Sequence, residues 1–472
     1  KGFGIDNFQL GQTQATIIFA DNALQLPRID IQRKPGTIEG TARLEFNDIP
    51  TFDGAFEVKR VLAAPLLNSV QAIPEHAHRF EGSVDGHITI SGELAQPKVR
   101  AQVKSNTLFI DEANFGETLV NINMRPEDPW LTIESRHQPE DGSLEVHMAL
   151  NNNSPTQFDF KAEQIEMELI TPFLGELEAS GSVSGKGKFN GELNELNGEA
   201  ALQIKQLSVY GFNLGQTDLE FDAQKGQSKV SGSCVAGAAS VSANITLGEK
   251  MPYTATMQLN EVNISQIHTL PENVDLWLTG SLFSQGDLLN SEDIIADSVF
   301  DQARLVWNDI EFNQVRSIRM NYADEVLEFS DAAFSIPELT IRLAGRMPLN
   351  EDLSLRLNID GDLSIVPRLW NEIEAGQGSI NANVLLEGTF EAPIYAGHAE
   401  IKSGSLRLSS IQQEVEDIQA RLDISGRTIQ ISQANARIGS GSVRLGGGVI
   451  LVQDAPSQTN LQATFSSVRL RP

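Results

Sequence analysis

The chain has 472 residues, with 35 Lys and Arg against 63 Asp and Glu and a formal net charge of −28. A surface this acidic repels nucleic-acid phosphates and disfavours lying on an anionic bilayer, while keeping a long β structure soluble. One cysteine, Cys234, excludes an intramolecular disulfide and a thiolate zinc centre and reads as a small buried thiol.

The chain opens at Lys1 with no visible signal peptide, and no apolar run reaches the roughly 18 residues of a membrane helix. It therefore reads as a piece of a longer protein, with any anchor or export signal upstream. Residues 1–64 read as the second half of a repeat: strands and turns follow Gly11 as they follow Gly116 and Gly215. Val58 to Ile73 is expected to be a helix, because Val58, Val61, Leu62 and Leu66 fall on one helical face.

From there the chain repeats with a period near 99. Gly82, Gly181, Gly280 and Gly378 each open a Gly-Ser step, at spacings of 99, 99 and 98. This divides the chain into repeats at 65–171, 172–270 and 271–366, with a fourth repeat and the start of the next at 367–472, about four and a half copies in all. In the third copy Asn290 and Ile295 replace the glycine and proline found in other copies, so its turn should be built differently. A proline precedes each opening, at Pro65, Pro172, Pro271 and Pro367. Proline fits the first turn of a helix, so short helices are expected at the seams.

The clearest stretch is the last. Ala399 and Ile401 alternate with polar neighbours, as do Leu406 and Leu408, Leu422 and Ile424, Ile429 and Ile431, and Val443 and Leu445. Ile88, Ile90, Val99, Ala101 and Val103 do the same in the first full copy. Period-two alternation broken by turn residues means half-buried strands, about seven short ones between Ser379 and Phe465. A small repeat cannot hide its apolar face alone, so the copies are expected to join into an all-β, elongated repeat array, a solenoid or a long curled sheet. A row of closed β-sandwiches is the competing architecture. Aromatics are only 6% of residues, which favours an open aliphatic surface over closed cores.

Catalytic readings find little support. Gly439-Ser-Gly441 and Gly446-Gly-Gly448 lack the Gly-Lys-Ser/Thr ending of a phosphate loop and read as tight turns. His76 and His78 have no partner ligands nearby and read as a surface turn. Glu127-Asp128, Glu140-Asp141 and Glu351-Asp352 sit in turn contexts. No nucleophile elbow and no calcium-binding glycine repeat is present. No enzyme activity, cofactor or metal is expected. Trp130, Trp277, Trp307 and Trp370 are expected to brace seams and edges.

The pattern Gly388-Thr-Phe-Glu-Ala-Pro393, Gly397, Ile401, Ser403-Gly404-Ser-Leu406, then Gly439-Ser-Gly441, resembles the TamB and AsmA-like proteins of diderm bacteria. Gly92-Glu-Leu-Ala-Gln-Pro97, Val99, Ala101 and Val103 form a second match. The resemblance implies a β-taco, a sheet folded into a U with an apolar lining. It implies a periplasmic body anchored in the inner membrane and movement of phospholipid between the two envelope membranes. It also implies an outer-membrane barrel partner, TamA-like, and a part in autotransporter secretion. The alternating residues named above would then line a groove for phospholipid acyl chains. A scaffold or chaperone for outer-membrane proteins in transit is the alternative; an extracellular adhesin is a third reading, disfavoured by the few Tyr and Trp.

Overall fold

The computed structural model describes residues 3–5, 8–62, 80–110, 113–125, 129–137, 142–151, 154–170, 178–270, 273–348, 352–389, 393–410, 413–452 and 455–469. These residues are almost entirely antiparallel β-strand, most strands pairing with the next in the sequence, while Phe80–Glu81, Phe109–Ile110 and Ala113–Asn114 form a small separate sheet. Two compact units emerge: residues 1–237 with 241–252, and residues 238–240 with 253–472.

The strands are fewer and longer than the alternation suggested. Among the described residues of 367–472 there are six strands, not seven: Ile373–Gly388, Pro393–Leu408, Glu414–Gly426, Thr428–Ile438, Gly441–Val452 and Ala455–Ser466. Six also fill the main sheet within 65–171, from Ser83–Glu93 to Ser154–Glu166. In 271–366 the third of six is interrupted. Ile310–Gln314 and Ile318–Ala323 both pair with Asn290–Trp307 on one side and Val326–Ile336 on the other.

The extra length comes from β-bulges, which carry a strand through positions that resemble turns. Pro393–Leu408 shifts register between Ile401 and Gly404, around Ser403 at φ +51°. The same shift separates Ala162 from Ile165 around Gln164, and Ile204 from Leu207 around Gln206. One extra residue makes positions three apart face the same way.

This corrects the helix expected from Val58. Thr51–Leu62 is a strand, and Arg60 is its bulge at φ +50°. Val58 and Val61 share a face because the register shifts between them, and both are fully buried. A three-residue spacing reads as helical, but here one unpaired residue produces it. The Arg60 N–H is not lost, since it donates to Asp85 Oδ1 at 2.9 Å, as the Gln164 N–H donates to Ser184 Oγ at 2.9 Å. Leu66 and the rest of that expected helix lie outside the described residues.

The repeating glycines have a steric cause. Gly82, Gly181 and Gly378 take φ of +125°, +130° and +113°. A Cβ on Gly82 would lie 2.4 Å from the carbonyl oxygen of Thr107, just past strand Lys98–Ser105, and one on Gly181 would lie 2.7 Å from that of Lys205 on the adjacent strand. Only glycine fits such close approach.

The third copy does turn differently: Leu288 and Leu289 alone join its first two strands, where four residues separate Glu93 from Lys98. At the seams, Pro65 and Pro172 lie outside the described residues, as does Pro271. Short 3-10 turns stand at Met167–Leu169, Ile264–Gln266 and Leu363–Ile365. Val274–Trp277, expected within the third seam helix, begins a strand instead. The fourth seam is helical at Val366–Leu369, with Pro367 in its first turn.

Within each unit the strands turn at two rims. In the second unit one rim carries short hairpin turns such as Leu288–Leu289, Asp324–Glu325 and Arg427. The other carries the turn at Asn308–Asp309 and the seam segment Leu363–Leu369. The sealed core lies against this seam rim: Ile310, Phe312, Leu339, Leu363, Ile365 and Val366 form one buried cluster. In the first unit Ile31, Ile38, Val58, Val61 and Leu108 do the same.

Phe312 is fully enclosed, so Phe312→Ala should lower unfolding free energy by about 3–5 kcal/mol. Arg342→Ala, on the exposed face, should change it by less than about 1 kcal/mol. Urea denaturation of both variants checks the contrast.

Candidate functional site

Directly paired residues of an antiparallel sheet share a face, so the register shows which side chains form a continuous surface. In the first unit one such row crosses eight strands: Phe56, Ile88, Ala101, Ile122, Leu131, Met148, Phe158 and Phe189. Every member is apolar and half-buried. The row one residue away faces the other side: Glu57, His87, Gln102, Asn121, Thr132, His147, Asp159 and Lys188. Every member of that row is polar.

The second unit repeats the division. Its apolar face contains the row Ile341, Ile359, Ala382, Ala399, Leu422 and Ile431. Beside it runs Leu343, Leu357, Val384, Gly397, Ile424, Ile429 and Val449. The opposite face carries Asp360, Asn381, Glu400, Arg421 and Gln433.

The groove-lining residues expected from sequence fall on these apolar faces. In the first unit Ile88 pairs with Ala101, Ile90 with Val99, and Val103 with Gly86. In the second, Ile401 pairs with Ile380 and Ala420, and Val443 with Ala436. Leu445 lies two residues further along the same strand, paired with Ala463. Leu406 and Leu408 would face away from Ile401 in an unbroken strand. The Ser403 bulge restores them, as the approach of Ile401 and Ile418 to Gly404 on that face shows. All the expected residues are half-buried rather than sealed.

Sequence reading missed Met148, Phe158 and Phe189 in the first unit, and Leu343, Leu357 and Val384 in the second. The same alternation marks them, but without the glycine-proline motifs that drew attention to the first and last copies.

The polar face carries ion pairs both between neighbouring strands and along a single strand. Lys104 meets Glu117 at 2.6 Å, Lys161 meets Glu163 at 2.6 Å, and Arg421 bridges Glu400 at 2.7 Å and Asp423 at 3.0 Å. The Glu117 and Glu163 carboxyls titrate below their ordinary value, chiefly through hydrogen bonds from Lys104 and Lys161. Glu400 is lowered chiefly by Lys402, and Asp423 by Ser432 and then Arg421. A surface depression of about 1260 Å³ is open and lined by mixed charges including Glu39, Glu57, Lys59, Asp85 and Lys104. Such balanced, exposed charge gives no single-signed binding field.

Chemistry is otherwise sparse. Cys234 is buried, and burial pushes its thiol pKa up, away from nucleophile character. Among the described residues no three His, Cys, Asp or Glu are placed to hold a metal. His76, His78, Glu127-Asp128, Glu140-Asp141 and Glu351 lie outside them. Of the tryptophans, Trp307 packs against the seam-rim core, Trp277 lies under Arg304 at 4.0 Å, and Trp130 stands beside His147. Trp370 follows the seam helix and is 57% exposed. Among the described residues no helix is long and apolar enough to cross a membrane.

No protein-family profile matches the chain, and no curated protein matches it.

Carboxylates held below their unfolded pKa stabilise the fold above that value, and the contribution is lost as pH falls through the folded pKa. The paired glutamates should therefore add to stability above about pH 4 and stop doing so below it. In Lys104→Met, the Glu117 titration should move up toward the ordinary carboxylate range, measured by carbon-detected NMR.

Proposed function

We propose that the apolar face of each unit carries the acyl chains of lipid, and that the protein works as a periplasmic conduit for phospholipid between the membranes of a diderm envelope. The observation that carries this reading is the pairing of an unbroken apolar row with a polar row one residue away. An acyl chain leaving a bilayer exposes methylenes at about 0.8 kcal/mol each, and half-buried aliphatic side chains provide a surface on which they can stay dry. The seam rim is sealed by its core, while the headgroup stays in water along the hairpin rim. The motif resemblance to TamB and AsmA-like proteins supports the same reading, with an inner-membrane anchor in the longer protein.

A second reading has its own support. Among the described residues, 12–20 of strand Phe8–Ala20 pair on one side only. That strand has no charged residue and exposes Ile17 and Phe19 by 65% and 67%. Such an edge accepts an incoming strand, as a scaffold for outer-membrane polypeptides with a TamA-like partner would require.

Photo-crosslinking separates the two. Probes at Ile88, Val99, Ile401 and Leu422 should capture phospholipid, and probes at Arg407 and Arg421 should not. Equal capture at both sets, or recovery of polypeptide in place of lipid, rejects the conduit. Leu422→Asp places a charge against hydrocarbon and should cut lipid capture by at least about tenfold while the strand spectrum is unchanged.

A further inference from the structure

The apolar face of the second unit is not uniformly hydrocarbon. At its hairpin rim it carries hydroxyls on neighbouring strands. Tyr253 Oη and Ser284 Oγ lie 2.8 Å apart. Ser284 pairs with Ala296, Ala296 with Tyr322, and Tyr322 with Leu327, so these positions share the apolar face. Tyr322 is separated by Ala323 alone from the rim turn Asp324–Glu325. Further along the same rim Tyr395 stands on the apolar face, paired with Leu386.

The choice of residue is informative. The chain has 22 Phe and only four Tyr, yet three of those four stand at this rim. Inward along the same strands the face is Leu259, Leu278, Leu282, Met320 and Phe300, packed as one apolar cluster. Tyrosine is suited to the boundary between apolar and wet surroundings, with its ring on one side and its hydroxyl on the other. Tyr322 is half-buried, and burial, then Glu325 and Tyr253, push its phenol pKa up, so it stays a neutral donor.

We propose that Tyr253, Ser284 and Tyr322 form a headgroup site that hydrogen-bonds the phosphodiester and glycerol-ester oxygens of a zwitterionic phospholipid whose chains lie on the adjoining apolar face. This rests on the conduit reading and adds to it a polar anchoring level and a headgroup class. The class follows from charge. Residues 282–303 contain no Lys or Arg, and the hairpin end of these strands carries Asp287, Glu292 and Asp293. With Asp324 and Glu325 at the neighbouring turn, this lip attracts an ammonium group and disfavours a headgroup with net negative charge. The hydroxyls meet the phosphate as neutral donors, and the carboxylates face the amine.

The test uses the 472-residue chain incubated with vesicles of pure phosphatidylethanolamine–phosphatidylcholine or of phosphatidylglycerol, followed by re-isolation and mass spectrometry of bound lipid. The unsubstituted chain should retain zwitterionic lipid in preference to phosphatidylglycerol. Tyr253→Phe and Tyr322→Phe should each weaken zwitterionic capture by about fivefold, the effect of one neutral hydrogen bond. Both keep the ring, so uptake of the hydrocarbon probe diphenylhexatriene should not change. Undiminished phospholipid capture in both variants, or a preference for phosphatidylglycerol, overturns the headgroup site and leaves the conduit standing. Failure of the unsubstituted chain to retain lipid or hydrocarbon probe overturns both.

Discussion

Everything in this molecule depends on strand-to-strand transmission of side-chain parity through the antiparallel backbone ladder. A residue that faces inward obliges its direct partner to face inward, and the obligation passes along the sheet one pair at a time. A slip of a single residue on any strand would turn that strand's aliphatic side chains to water and its charges onto the apolar face. The eight-strand row from Phe56 to Phe189 has no such slip.

Parity is nevertheless interrupted wherever a strand must bend, and bulges repair it. Arg60, Gln164, Gln206 and Ser403 each adopt positive φ, an unfavourable conformation for residues other than glycine. For Arg60 and Gln164 the displaced N–H regains a side-chain acceptor on the next strand. Apolar residues on either side of the bulge, such as Val58 and Val61, then both enter the core. Bending and sealing are thus one feature. The same positions that curve the strand supply the fully buried side chains at the seam rim, and the part of the face nearer the hairpin rim stays half-buried.

This explains which parts of the structure were legible in the sequence. Alternation at Ala399 and Ile401, or at Leu422 and Ile424, reports side-chain direction directly, and the all-β class and the membership of the apolar face follow from it. The 99-residue glycine period was legible too, because close backbone approach admits no other residue. Bulges were not legible: a strand that gains one residue acquires three-residue spacing, and Val58 and Val61 consequently resembled a helix face. Ser403-Gly404 resembled a turn for the same reason, dividing one 16-residue strand into two short ones and giving seven strands where there are six. The rim tyrosines escaped notice because their meaning lies in neighbours on other strands, which no local pattern records.

The even strand number of the repeat has a consequence for how such a protein can change over time. Six antiparallel strands bring the chain back to the rim from which it set out, with its apolar side chains still facing the same way. Duplication or loss of a whole copy therefore leaves the orientation of all later strands intact, and so does gain or loss of a single hairpin. Each hairpin alters the span by about 9–10 Å. The sheet can grow or shrink in small increments without turning its apolar face, whereas an odd strand would exchange the two rims for everything downstream.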